Sequence, residues 1–183
     1  MKKMDNKNLV IICFFLSCFT ILGQGLMKEK VNTNRQDTLR GSITKERSWW
    51  DLTYYHLDIK VFPEKKYISG SNTVGYKVLE SKKLMQIDLQ QPMIITSVTS
   101  MGKNLKFYRD GNAYFIKMNK RQKVGDVNYI KINYQGNPKE AIRAPWDGGL
   151  SWDKDQNGNH FIATSCQGLG ASVWWPNKDH MYD

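Results

Sequence analysis

The sequence predicts an all-β fold, an antiparallel sandwich or curved sheet, and three observations carry that expectation. Short runs in which apolar and polar residues alternate recur along most of the chain, the period of two expected of half-buried strands. Turn dipeptides built on Gly, Pro, Asn and Asp separate them, and no amphipathic helical run interrupts them. At 183 residues, 40% hydrophobic and 12% aromatic, the chain can bury a real core and is not of disordered composition.

The first 25 residues have a different character. Lys2, Lys3 and Lys7 precede an apolar run over residues 9–22 (LVIICFFLSCFTIL), and Gly23-Gln24-Gly25 follows with small residues for cleavage. That layout predicts a secretory signal peptide over 1–25, hence an exported, periplasmic or extracellular product. The run is shorter than the roughly 20 residues a span requires, so no stable membrane span is expected. Cys18 makes a poor lipidation site, because Phe15 precedes it and the apolar run continues past it.

Residues 26–48 are polar without a period and read as a linker or extended arm. The β-domain is expected over 49–183. Its strands are predicted at 55–61, 67–79, 84–89, 94–98, 105–108, 113–118 and 127–134, with Asp110-Gly111 between two apolar runs marking a hairpin. From residue 145 the chain is rich in Trp and Gly: Trp146, Trp152, Trp174 and Trp175, with Gly148-Gly149 and Gly168-Leu169-Gly170. Composition leaves two readings open there, an interface or cleft wall and a second small core under loops.

The formal charge is +10, and the export signal takes three basic residues and one acidic residue with it. Lysines such as Lys60, Lys77, Lys106, Lys117 and Lys131 alternate with apolar residues, which reads as solvated strand faces and not as a nucleic-acid groove. Cys13 and Cys18 leave with the signal, so Cys166 is the one mature cysteine and no internal disulfide can form.

Catalytic constellations are hard to assemble. Zinc peptidases hold the metal with two imidazoles on one helical face and activate water with a nearby carboxylate, the HExxH pattern. His56, His160 and His180 are far apart, in strand or loop contexts, and none begins that pattern. Residues 153–158 (DKDQNG) resemble the start of a calcium loop, yet Thr164 stands where the closing Glu belongs. A hairpin turn between residues 150–152 and 161–164 accounts for the same residues. Cys166 has no neighbouring base. The expectation is no catalytic residue and no metal site within this chain.

Residues 162–179 (IATSCQGLGASVWWPNKD) resemble the segment that closes the N-terminal domain of the aminopeptidase N family of zinc peptidases, peptidase family M1. There, a strand ending in T-x-C-Q or T-x-C-E leads through small residues to an aromatic pair, Pro and Asp. Residues 50–59 (WDLTYYHLDI) resemble the family's opening strand, and Gly136-Asn137-Pro138 and the 146–149 segment fit as well. The likeness covers residues 49–183, and its Trp-rich form is most similar to secreted members of Bacteroidetes type.

The resemblance implies a saddle-like β-sandwich packed against a thermolysin-like catalytic domain. In the family the zinc, its ligands, the general base and the GxMEN motif belong to that later domain, and the sequence ends at Asp183 before any of them. The expectation is an N-terminal fragment of a secreted zinc aminopeptidase, inactive alone, with zinc and a catalytic domain supplied in cis. Gln167 matches the family residue that holds the peptide substrate's N-terminal end. A neutral amide oxygen can accept from an α-amine, although more weakly than a carboxylate. Period two would place Ser165 on the same strand face. The competing reading is a secreted, non-catalytic binding module that uses Trp146, Trp152, Trp174 and Trp175 as stacking platforms.

Overall fold

The computed structural model describes residues 32–181, so the expected signal peptide lies outside the described residues. Ten strands are described: β1 (Trp50–Phe62), β2 (Tyr67–Val78), β3 (Leu84–Asp88), β4 (Ile94–Ser100), β5 (Lys103–Asn104), β6 (Lys106–Asp110), β7 (Ala113–Lys117), β8 (Val127–Gly136), β9 (Gly149–Lys154) and β10 (His160–Ser165). They form a five-stranded sheet in the order β1-β2-β8-β4-β5, a three-stranded sheet β3-β7-β6 and the β9–β10 ribbon, with every strand pair antiparallel. The all-β expectation holds.

Alternation builds the core. On β8, Ile130, Ile132 and Tyr134 are buried while Lys131 between them is exposed. These pack with Val74 and Tyr76 of β2 against Met85, Ile87, Tyr114 and Ile116 of the three-stranded sheet. Trp49 and Trp50 close one end, both edge-on to Tyr76 at centroid separations of 5.8 and 5.9 Å. The turn between β6 and β7 falls at Gly111-Asn112, as the Asp110-Gly111 signal predicts.

Strand β7 departs from alternation: Ala113, Tyr114, Phe115 and Ile116 are all buried. Tyr114 and Ile116 face the sandwich core, whereas Ala113 and Phe115 form a second cluster with Leu39. Both faces of this strand are therefore covered, and a strand covered on both faces reads as a continuous apolar run.

The cover on the second face comes from within residues 26–48, read from sequence as a linker or extended arm, and part of that stretch is helical instead of extended. Arg35–Gly41 is an α-helix, α1, whose N-cap Asn34 accepts from the Gln36 and Asp37 amides while Asp37 reaches back to the Asn34 amide. This reciprocal arrangement satisfies the exposed donors of the first turn. Leu39 is the helix's buried residue. Past the helix, fully buried Arg47 lies 2.6 Å from Asp88 and donates to the Arg40 and Ser42 carbonyls. Gln86 beside it accepts from Thr44 Oγ1 and donates to the Leu39 carbonyl and to Asp88. Burial pushes the Asp88 carboxyl above its ordinary value, and Arg47, Gln86 and the Asp179 amide pull against that rise. Two polar positions of β3, Gln86 and Asp88, thus become the socket that holds the segment.

Candidate functional site

Gln167 is the residue the sequence singles out, and its surroundings are built by the β9–β10 ribbon and the chain on either side. The ribbon pairs in register from His160↔Lys154 to Ser165↔Gly149, as the hairpin reading of residues 150–164 expects. At its tip, Asp155 Oδ1 accepts from the Asn157 and Asn159 amides at 2.9 and 2.8 Å, the hydrogen bonding of a tight turn. The Asn159 side chain and those amides hold the Asp155 carboxyl below the usual range. His160 Nε2 meets Glu64 at 2.9 Å, and Lys66 pairs with Glu140 at 2.6 Å, so the ribbon and its approach are tied to the β1–β2 turn.

Strand β10 ends at Ser165, two residues short of Gln167. Cys166 begins a tight turn in which its carbonyl accepts from the Leu169 and Gly170 amides at 3.2 and 2.9 Å. Gln167 is an exposed residue of that turn. The period-two argument therefore stops at Ser165, whose hydroxyl donates to the Pro145 carbonyl at 2.9 Å. Ser165 is a strut for the neighbouring loop and does not share a strand face with Gln167.

The turn itself is held firmly. Arg40 of α1 donates to the Gly168 carbonyl, and Gln90 donates to the Leu169 carbonyl and to Ser172 Oγ. Gly148 packs beneath it: a Cβ there would lie 2.6 Å from Leu169 Cγ and 2.8 Å from the Gln167 carbonyl oxygen, so only Gly lets the two segments touch. On the other side, the 141–148 loop is fixed by Asp147, which accepts from the Ile142 and Arg143 amides at 2.6 and 2.8 Å. The result is an exposed amide on a rigid backbone between two anchored loops. The sequence reading missed this support; the dense Gly around 148, 168 and 170 was its one visible trace.

The four tryptophans part company. Trp146 is 82% exposed, whereas Trp152, Trp174 and Trp175 are partly buried against the main core. Trp175 stacks edge-on against Tyr55 at 4.8 Å. The residues after it lock the sandwich: Pro176 O accepts from Asn72, Asn177 pairs with Asp88, and Lys178 Nζ sits over the Trp50 ring at 4.5 Å while donating to its carbonyl. Three of the tryptophans thus join the main core and not a second small one under loops, and Trp146 alone lies on an open surface.

His56 lies exposed on the outer face of β1, against the Tyr54 hydroxyl at 3.2 Å. Cys166 is free and exposed. Among the described residues no three His, Cys, Asp or Glu side chains gather as a metal site, and no helix is long and apolar enough to cross a membrane.

No family model matches the sequence, and no curated protein sequence matches it. Solved structures do match in fold. An M1 zinc metallopeptidase from Deinococcus radiodurans aligns over 72% of this chain and 29% of its own, at 18% identity and a TM-score of 0.54. A further structure of that enzyme, bound to a Tyr-Ser-Ala substrate, aligns over 74% and 30% at 17% identity and a TM-score of 0.54. Native yeast LTA4 hydrolase aligns over 80% and 25%, at 16% identity and a TM-score of 0.58. The chain thus spans about a third or less of the length of these structures. What it is similar to, in architecture, is the all-β N-terminal domain of M1 aminopeptidases.

Proposed function

We propose that this chain is the substrate-side N-terminal domain of an exported zinc aminopeptidase, an enzyme that removes N-terminal residues from peptides. The observation that carries the reading is the fold alignment over most of this chain with zinc metallopeptidases several times its length. In this reading a thermolysin-like domain in cis holds the zinc and performs the hydrolysis. This domain contributes Gln167, exposed on its braced turn, whose amide oxygen accepts from the substrate's α-amine. Export rests on the signal-like residues 1–25. A Trp-based binding module is less well supported, because Trp146 alone of the four is open enough to stack on a ligand.

The test uses the product of the whole reading frame. It should encode HExxH, carry one zinc and hydrolyse aminoacyl p-nitroanilides. Gln167→Ala should raise KM about tenfold, the loss of one hydrogen bond to a charged group, with kcat and zinc content unchanged. A reading frame without HExxH, or a zinc-loaded product inert towards these substrates, overturns the aminopeptidase reading. Unchanged KM in folded Gln167→Ala overturns the role of Gln167 alone.

A further inference from the structure

A cavity of about 510 Å3 lies far along the chain from Gln167, between the β4–β5 turn and the loop joining β7 to β8. Leu105 and Met118, both buried, give it an apolar lining. Around it stand Lys103, Lys120, Arg121 and Lys123, with Asp126 the sole carboxylate of the lining. None of the four cations makes an ion pair among the described residues. Like charges gathered round one concavity repel each other and focus a positive potential into it.

The loop that carries three of them is fixed in place. Gln122 donates its backbone amide to the Lys82 carbonyl and its side-chain amide to the Lys120 carbonyl. Its Oε1 accepts from buried Tyr76 and from Asn128, at 3.1 and 3.0 Å. Arg121 is anchored through Nη1 to the Ser81 carbonyl, which leaves the other guanidinium donors free to serve a ligand. Farther on, Gly125 donates to the Val78 carbonyl and Asp126 to that of Lys123. Binding therefore need not order the backbone that bears Lys120, Arg121 and Lys123, which removes the loop-ordering part of the cost of association.

We propose that this cavity is an anion-binding site for a phosphate-bearing ligand. Four unneutralised cations around one cavity call for closely spaced negative charges. A phosphate carries more charge than a carboxylate and offers several strong acceptors to Arg and Lys donors. The apolar lining suits a ligand in which the phosphate is joined to a carbon portion. A soluble organic phosphate and a phospholipid headgroup share that chemistry. The site is independent of the aminopeptidase reading.

The purified full chain is titrated calorimetrically with sodium tripolyphosphate, and its sedimentation is followed with phosphatidylglycerol vesicles and with pure phosphatidylcholine vesicles. The expected result is saturable binding weakened at least about tenfold by combined Lys103→Gln, Lys120→Gln and Lys123→Gln, and less than about twofold by combined Lys60→Gln and Lys154→Gln. Tripolyphosphate binding lost in the cavity variant identifies a soluble ligand; vesicle binding alone, lost in the same variant, identifies a headgroup. Should the triple variant not fold, Lys120→Gln and Lys123→Gln singly must each weaken binding. Equal weakening by the control pair, no binding to either probe, or tighter binding of polyglutamate than of tripolyphosphate overturns the proposal.

Discussion

Tyr76 and Tyr134 sit in the same core with opposite hydrogen-bonding fortunes. Tyr76 donates its hydroxyl to Gln122, whereas the buried hydroxyl of Tyr134 finds no partner among the described residues. Burial pushes both far above the ordinary value of 10.0. Below that value both states hold the proton and the hydroxyls titrate in neither. Above it the unfolded chain releases protons that the folded core retains, so stability falls as pH rises. Denaturant melts across the alkaline range should show this limb, flattened by combined Tyr76→Phe and Tyr134→Phe. At neutral pH, Tyr134→Phe alone should be neutral or slightly stabilising, and Tyr76→Phe should cost about 1 kcal/mol. A cost of more than about 2 kcal/mol for Tyr134→Phe would show that its hydroxyl has a hidden partner.

Among the elements, strands were legible and α1 was not, for a physical reason. A strand advertises itself by alternation, which β1 keeps from Tyr54 to Val61 and β8 through its middle from Val127 to Tyr134. The helix buries one residue, Leu39, and its neighbour Arg47 is held by charge and carbonyls, so neither leaves a periodic apolar stripe. The trace lay on the partner: the run Ala-Tyr-Phe-Ile in β7 needs cover on both faces. The Trp-rich tail misled in the opposite sense, since composition does not reveal which indoles turn inward. Gln167 was legible as a motif position, while its place beyond the strand end was not, because a tight Cys166–Gly170 turn breaks the period. Removing the helix's anchor should be costly. Arg47→Met leaves Asp88 buried without its cation and should destabilise by about 3–5 kcal/mol. Hydrogen exchange should then lose protection at the Thr38 and Ser42 amides first. A variant with wild-type stability and protected amides would show that the ion pair does not hold the helix.

At the largest scale, the described residues from Asn34 onward form a sandwich whose layers are sewn together by residues 175–178, which accounts for the tail's aromatic content. Truncating Trp174 should therefore be felt throughout: Trp174→Ala is expected to cost roughly 3 kcal/mol as a core truncation. Trp146→Ser should stay within about 0.5 kcal/mol, because that indole is open to solvent. Thermal melts of the two variants compare the cases directly, and equal losses would put Trp146 into the core. The packing of residues 34–48 also decides where this unit can be cut from its surroundings. A leader removed anywhere upstream of Asn34 spares the capped helix and its socket. A fusion begun at Trp49 would strip the lid from Phe115 and orphan Asp88, so a transplantable form of the domain starts at Asn34.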